Sequence, residues 1–314
     1  MSNFLPFLIT MGDAAGIGPE IIAKAFADAP SDTAGCVVVG DVAVLRRAAA
    51  LVATARPGQL PLSVAELTHP GDACALPPRC IGVWPAGNLQ SPPAYGQISA
   101  DSGRAAGECI LAAAGAVLSG LARGMVTAPI NKEALAAAGG PFANFPGHTE
   151  MLQAQAASFT GKTIAELPVR MMLASPELRT VLVSIHVSLR EAIEAVRFDA
   201  VLQTLRITHT TLGLLLGRPP RLGVAGLNPH AGEGGLFGSE ESEIVLPAMA
   251  DARARGILVE GPWGADTMFA KPGFDAYVVM FHDQGHIVAK TEARNRSAGL
   301  SLGSPVLFSS VAHG

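Results

Sequence analysis

Three histidines follow apolar runs that have the length and composition of buried strands. They are His186, His230 and His282, which come one to three residues after runs that start at residues 181, 222 and 276. In open α/β sheets, ligands bind beyond the carboxyl ends of the strands, so the three imidazoles are expected to converge. Three imidazoles with one open coordination position form a catalytic zinc arrangement.

Each of these histidines taken alone is more often an ordinary hydrogen-bonding residue than a metal ligand. The metal hypothesis therefore depends on the position that the three share. His286 is placed as a neighbour of the site. His148 stands at a predicted helix start, where anions bind well.

Two glycine-rich turns precede predicted helices. Residues 12–20 resemble a phosphate loop but match neither the Walker nor the Rossmann pattern, so a tight structural turn is favoured. Asp13 in this turn would repel a phosphate. Residues 228–235 form the second turn, and His230 and Glu233 favour a functional site there over a merely flexible loop.

Alternating strand and helix patterns predict the elements that position these residues. They indicate an α/β fold with a mostly parallel, doubly wound sheet in one or two lobes. Asp41 and Thr149 are predicted helix caps, and Ser188 with Glu191 has capping-box spacing. A long helix is expected from about residue 101 to residue 124.

Composition excludes several classes of function. The 314 residues carry a net charge of −4 without a Lys/Arg stripe, which argues against a nucleic-acid partner. The four cysteines lack the pair spacings of structural zinc sites and are expected to be buried, reduced thiols of a cytoplasmic protein. Residues 1–11 do not resemble a signal peptide, and the apolar stretch at 110–121 is too short to cross a membrane.

Six segments together resemble the 4-hydroxythreonine-4-phosphate dehydrogenase family of pyridoxine biosynthesis. They are residues 11–20, 127–132, 145–150, 227–235, 264–267 and 282–285, in order along nearly the whole chain. The resemblance implies an isocitrate/isopropylmalate dehydrogenase-like fold with two lobes, and a homodimer with its active site in the interlobe cleft at the dimer interface. Residues 1–125 with 291–314 are expected to form the dinucleotide lobe, and residues 126–290 the metal and dimer lobe.

The same resemblance implies an activity and the residues that perform it. The family oxidises a secondary alcohol with NAD (NADP is the alternative), and the resulting 3-keto acid loses carbon dioxide. A divalent metal, usually zinc, is held by histidines from both subunits. The implied residues are His186, His230 and His282 for the metal, His148, Thr149 and Lys290 for the substrate, Lys290, Asp266 and Asp283 for catalysis, and Gly12 and Asp13 for the cofactor.

This chemistry fits those residue types. A metal on the substrate hydroxyl lowers the pKa of that hydroxyl and favours the alkoxide. Lys290 either neutralises an anionic group or relays a proton, and the sequence leaves both roles open.

The chain departs from the family at three positions. Gly299 and Phe308 stand where the family has a substrate-binding Asn and Arg, and Ala312 replaces an Asp. Loss of the arginine weakens the case for a phosphorylated substrate, because bidentate arginine is a favoured phosphate clamp. Arg294 or Arg296 is the candidate substitute.

These departures leave three functions open. The main expectation is oxidation of 4-phosphooxy-L-threonine or a close phosphorylated hydroxy acid. The C-terminal segment instead resembles the metal-dependent cis-dihydrodiol dehydrogenases of terephthalate breakdown, whereas residues 131–132 and 148–149 resemble the biosynthetic branch. The third possibility is a non-catalytic metal- or metabolite-binding protein. Relatives continue beyond residue 314 through a segment that helps to hold adenosine, so either the sequence is cut short or NAD binds poorly.

Overall fold

The computed structural model describes residues 5–145, 147–293 and 296–311. The chain forms two compact units, one of Met1–Leu167 with Ser304–Val311 and the other of Pro168–Gly303. Arg294 and Ala312, which entered the sequence argument, lie outside the described residues.

The first unit begins with alternating strands and helices. In chain order they are β1 (Phe7–Thr10), α1 (Gly18–Asp28), β2 (Cys36–Gly40), α2 (Val42–Ala55), β3 (Ser63–Glu66), β4 (Cys80–Pro85), α3 (Ala100–Leu118), β5 (Gly124–Thr127), α4 (Lys132–Ala137) and α5 (His148–Thr160).

The second unit follows, and the chain then returns to the first. The elements are β6 (Arg170–Ala174), β7 (Arg179–Leu182), α6 (Leu189–Ala195), α7 (Phe198–Leu216), β8 (Arg221–Ala225), a π-helical turn (Glu241–Val245), α8 (Leu246–Ala254), β9 (Leu258–Trp263), α9 (Ala265–Met268), β10 (Ala276–Val279), α10 (His282–Ala293), β11 (Ala298–Leu302) and, in the first unit, β12 (Phe308–Val311).

The strands of the first unit run in the order β3-β4-β2-β1-β5-β12, and every pair is parallel. Parallel strands are buried on both faces, which explains the continuous apolar run of β2. The core of this unit includes Leu8, Val37, Met125 and Phe308.

The strands of the second unit run in the order β11-β6-β7-β10-β8-β9. From β7 to β9 the pairs are parallel, whereas β6 is antiparallel to both β7 and β11. The predicted α/β fold with mostly parallel strands is confirmed. No helix among the described residues is long and apolar enough to cross a membrane.

The two units end at different residues from the expected lobes. The expected bounds were residues 125 and 290, whereas the units end at Leu167 and Gly303. The reason is that the helices after β5 pack on α3. Gln155 of α5 donates a hydrogen bond of 2.9 Å to the carbonyl of Leu111 in α3. At Gly103 of α3, a Cβ atom would lie only 1.9 Å from the carbonyl oxygen of Ala134.

Local sequence patterns predicted some helix ends and missed others. Asp41 caps α2, and Ser188 with Glu191 forms the capping box of α6, as expected. The expectation for Thr149 was wrong, because α5 begins at His148 and its N-cap residue Gly147 has no side chain to offer. Helix α3 ends at Leu118 rather than near residue 124, just before Gly120 with its positive φ of 73°.

The four cysteines are all free. Cys80 and Cys109 are buried, as expected, but Cys36 is half-buried and Cys74 is exposed.

Candidate functional site

Two of the three candidate metal ligands lie close together in the second unit. His186 follows β7 and His282 follows β10, and these strands are parallel neighbours. The centroids of the two imidazole rings are 5.7 Å apart. The prediction that strand ends bring histidines together therefore holds for this pair.

The His282 ring contacts two neighbouring side chains. Its Nδ1 lies 2.6 Å from Oδ1 of Asp283, which leaves Nε2 for another partner. The ring of His286, one helical turn later, packs edge-on against it with 4.1 Å between ring centroids. Burial lowers the pKa of His286 to about 4, so this imidazole is neutral at pH 7. The four-residue spacing between the two histidines was the sequence signal for this contact.

His230 lies in an unusual stretch of backbone after β8. Five consecutive residues, 230–234, have positive φ angles between 43° and 78°. His186 also has a positive φ, of 51°. Left-handed backbone is unfavourable for residues other than glycine, and it concentrates at functional sites.

The described part of one chain holds no group of three His, Cys, Asp or Glu side chains arranged for a metal ion. Only His186 and His282 of the predicted triad are brought together here. The triad with His230, which was expected to draw on both subunits, therefore stays a prediction.

A cavity of about 220 Å³ opens beside the histidine pair. Its walls include the polar groups of His186, His282 and Asp283, and a larger apolar portion. The lining residues are Ser184, Ile185, His186, Val187, Leu189, Ala192, Phe281, His282 and Asp283. The cavity thus places imidazole and carboxylate groups against an apolar wall, as small-molecule sites commonly do.

Lys290 and Asp266 lie on two helices of this unit. Lys290 comes two turns after His282 on α10, and its charge helps to lower the pKa of His286. Gly264 lies two residues before Asp266. A Cβ atom at Gly264 would lie 2.6 Å from Oδ1 of Asp266 and 3.4 Å from Cα of His230. Gly264 therefore permits a close approach between Asp266 and the His230 backbone.

His148 and Thr149 begin α5 in the first unit. Burial lowers the pKa of His148 to about 4, and its buried Nε2 has no hydrogen-bond partner among the described residues. The centroid of the His148 ring is 6.3 Å from that of Phe308. Phe308, at the position where the resemblance led us to expect an arginine, is only 3% exposed and packs in the core.

Gly12 and Asp13 have clear structural roles in the first turn. A Cβ atom at Gly12 would lie 2.4 Å from the carbonyl oxygen of Pro129. Oδ1 of Asp13 accepts a hydrogen bond of 2.9 Å from the Ala15 amide. The favoured interpretation of a tight turn agrees with this geometry, and cofactor binding by these residues stays a prediction.

Arg296 is a candidate substitute for the arginine that was expected at position 308. In the structure it is exposed and forms an ion pair with Glu177 of the second unit. Its Nη2 lies 2.9 Å from Oε1 of Glu177.

The model of the family described as Pyridoxal phosphate biosynthetic protein PdxA matches residues 32–314. The chain belongs to the PdxA family. It is 44% identical to a 4-hydroxythreonine-4-phosphate dehydrogenase from Beijerinckia indica, over 98% of this chain and 87% of the relative. It is 41% identical to a D-threonate 4-phosphate dehydrogenase from Cupriavidus necator, over 100% of this chain and 91% of the relative.

Comparison with solved structures identifies the same family. The crystal structure of 4-hydroxythreonine-4-phosphate dehydrogenase from Klebsiella pneumoniae matches with a TM-score of 0.86 and 37% identity, covering 99% of this chain and 90% of that one. A terephthalate 1,2-cis-dihydrodiol dehydrogenase from Burkholderia xenovorans matches with a TM-score of 0.66 and 30% identity, with coverage of 99% and 90%. The resemblance deduced from the sequence is confirmed, and the main expected activity, that of a dehydrogenase, fits the names of these relatives.

Proposed function

We propose that the chain is a nicotinamide- and metal-dependent dehydrogenase of a phosphorylated four-carbon hydroxy acid, and that the oxidised product loses carbon dioxide. The substrate is 4-phosphooxy-L-threonine or D-threonate 4-phosphate. The main support is the near-full-length similarity to dehydrogenases with these two names, together with the histidine pair beside the cavity.

The donor groups of this pair fit a divalent metal of the zinc type. Metal-binding histidines commonly donate their second ring N–H to a carboxylate, and Asp283 is placed to accept it from Nδ1 of His282. Nε2 of His282 and the ring of His186 would then supply two ligands, and His230 of a second copy would supply the third. When bound, the metal favours ionisation of the substrate hydroxyl.

The chain's own residues bind and orient the substrate. His148 is neutral at pH 7, because burial lowers its pKa to about 4, so it forms hydrogen bonds without adding a charge. Together with Thr149 it lies at the N-terminus of α5, where backbone N–H groups favour an anionic group. Lys290 supplies a positive charge or relays a proton.

A homodimer is part of the proposal. Large apolar side chains are exposed on α6 and just before it, at Val187, Leu189 and Ile193, and on the loop that carries His230, at Leu236 and Phe237. Exposed apolar groups of this kind mark interaction surfaces. In a two-fold dimer the same surfaces meet reciprocally, so each copy can complete the other's metal site.

Mixing two inactive variants tests the shared site. His230→Ala and His282→Ala should each be inactive alone. Random mixing makes half the dimers mixed, and each mixed dimer holds one intact site if His230 acts across the interface. Activity should then return to about a quarter of the wild-type value. If all three ligands came from one copy, mixing would restore none.

A substrate screen with NAD reduction as the readout tests the activity. It compares 4-phosphooxy-L-threonine, D-threonate 4-phosphate and the cis-dihydrodiol of terephthalate. The third compound represents the alternative function, which Gly299, Phe308 and the similarity to the Burkholderia xenovorans structure favour. Turnover of that compound alone would replace the proposed substrate class.

The non-catalytic alternative makes a different prediction. A binding protein would retain metal without turnover of any of the three compounds, and it would show no heat of NAD binding in calorimetry. NAD binding together with turnover would exclude it.

A further inference from the structure

Glu241 is a buried carboxylate in the second unit, and no described residue pairs with it as a cation. Its residue is only 4% exposed, and it begins the π-helical turn before α8. None of the ion pairs within the described ranges involves it. A buried charge is costly unless hydrogen bonds compensate it, so its partners reveal its role.

Those partners are N–H groups at the start of the loop that carries His230. Oε1 accepts hydrogen bonds from the amides of Leu227 and Asn228, at 2.7 and 2.8 Å. Oε2 accepts one from the Asn228 side-chain amide at 2.9 Å. The carboxylate thus replaces its lost water with three donors, two of which belong to the backbone.

Two glycines let the loop close around this carboxylate. A Cβ atom at Gly226 would lie 2.9 Å from Oε1 of Glu241, and one at Gly232 would lie 2.7 Å from Oε2. The loop therefore passes the carboxylate on both sides of His230.

The enclosed loop is the left-handed stretch of residues 230–234. Three of its five residues, His230, Ala231 and Glu233, are not glycine, so this backbone is strained. Strained backbone persists only where surrounding contacts determine it. The three hydrogen bonds to Glu241 are such contacts, and they lie within three residues of His230.

A second side chain ties the same loop to the segment that carries His282. Gln284 accepts a hydrogen bond of 2.8 Å from the amide of Met280, the residue directly after β10. Its Nε2 donates one of 2.9 Å to the carbonyl of Gly226, after β8. The bases of the two histidine loops are thereby held together.

We propose that Glu241 is a positioning residue, whose buried carboxylate fixes the left-handed loop and so sets the direction in which His230 is presented to a metal. This inference rests on the proposed function, because it takes His230 as a ligand. The described contacts of Glu241 are with the loop, so the proposed role is exerted through His230.

The variant Glu241→Gln keeps the side-chain shape but removes the charge and turns an amide donor toward N–H donors. Zinc affinity, measured by competition with a chelator, should fall about 10- to 100-fold, the usual effect of removing a supporting contact of a metal site. The d–d spectrum of the cobalt-loaded protein should change as well. Hydrogen exchange of the peptide covering residues 226–238 should accelerate.

Glu240→Gln is the matched control. Glu240 also accepts a hydrogen bond from Asn228, at 2.7 Å, but it is half-buried and contacts no backbone amide of Leu227 or Asn228. Its zinc affinity and cobalt spectrum should stay at wild-type values. If Glu241→Gln also kept both, or accelerated exchange without weakening zinc, the inference would be overturned.

If Glu241→Gln fails to fold, Asn228→Ala tests whether the hydrogen bonds to Glu241 position His230. It removes one of the three donors and keeps the carboxylate, so it should weaken zinc binding more than Glu240→Gln does. Equal affinities in these two variants would overturn the inference. A wild-type protein that binds no zinc would instead defeat the proposed function, and hydrogen exchange would then decide alone whether Glu241 fixes the loop.

Discussion

Nδ1 of His282 lies 2.6 Å from Oδ1 of Asp283, the next residue in the chain. A carboxylate accepts but does not donate a hydrogen bond, so in the neutral imidazole of His282 the proton is on Nδ1 and the lone pair is on Nε2. Asp283 therefore selects the tautomer of His282 that can bind a metal through Nε2.

Asp283→Ala should weaken zinc binding about 10- to 100-fold, because His282 loses the partner that fixes its tautomer and ring direction. Chelator competition measures the affinity. Asp199→Asn is the control, since Asp199 is an exposed first-turn carboxylate of α7 in the same unit. Equal zinc affinities in the two variants would remove this role from Asp283.

His286 provides a second prediction, because its ring packs edge-on against that of His282. Such aromatic pairs contribute about 0.5–1.5 kcal/mol beyond the area they bury. His286→Phe should keep this packing and stay within about threefold of wild-type zinc affinity, whereas His286→Ala should lose about tenfold. Chelator competition measures both. If Phe weakened binding as much as Ala, a polar contact of His286 would have to be responsible.

Burial of His148 predicts a dependence of stability on pH. Its pKa is lowered from 6.5 to about 4 in the folded protein. Well above pH 6.5 the side chain is neutral in both states, so stability there does not depend on its protonation. As the pH falls from 6.5 toward 4, the unfolded chain takes up the proton first and stability is lost.

The variant His148→Asn should remove this part of the dependence. The free energy of unfolding of wild type should fall, relative to the variant, by about 2–3 kcal/mol between pH 7 and pH 4.5. Urea unfolding of the metal-free proteins measures the difference. His286 titrates in the same range but is present in both proteins, so its contribution cancels. Parallel pH profiles would show that His148 is not held neutral by burial.

Sequence patterns predicted the elements whose signals are local. Asp41 and the Ser188–Glu191 pair cap their helices through contacts three residues apart, which a single pattern contains. The strand ends that bring His186 and His282 together were predicted for a similar reason, because each apolar run predicts its own strand.

Contacts between distant residues could not be predicted in this way. Glu241 binds the amide of Leu227, fourteen residues earlier, and Gln284 binds the carbonyl of Gly226, fifty-eight residues earlier. Neither pairing leaves a periodic signal in the sequence. Phe308 was singled out because the resemblance led us to expect an arginine there, but the direction of its side chain required the structure.

The position of Phe308 yields the last prediction. If position 308 faced a phosphate subsite, Phe308→Arg together with Gly299→Asn would favour 4-phosphooxy-L-threonine by about 1–3 kcal/mol in kcat/KM. However, Phe308 is 3% exposed and packs in the core of the first unit beside His148. Phe308→Arg alone should therefore bury an unpaired guanidinium and lower the free energy of unfolding by about 3–5 kcal/mol.

An anion should partly reverse this loss if the position faces a phosphate subsite near His148. Inorganic phosphate should raise the Tm of Phe308→Arg more than that of wild type or of Phe308→Leu, the apolar control. Thermal unfolding with and without phosphate measures the effect. Full stability of Phe308→Arg without phosphate would show that the arginine reaches solvent, whereas a loss that phosphate does not reverse would show that position 308 serves only the core.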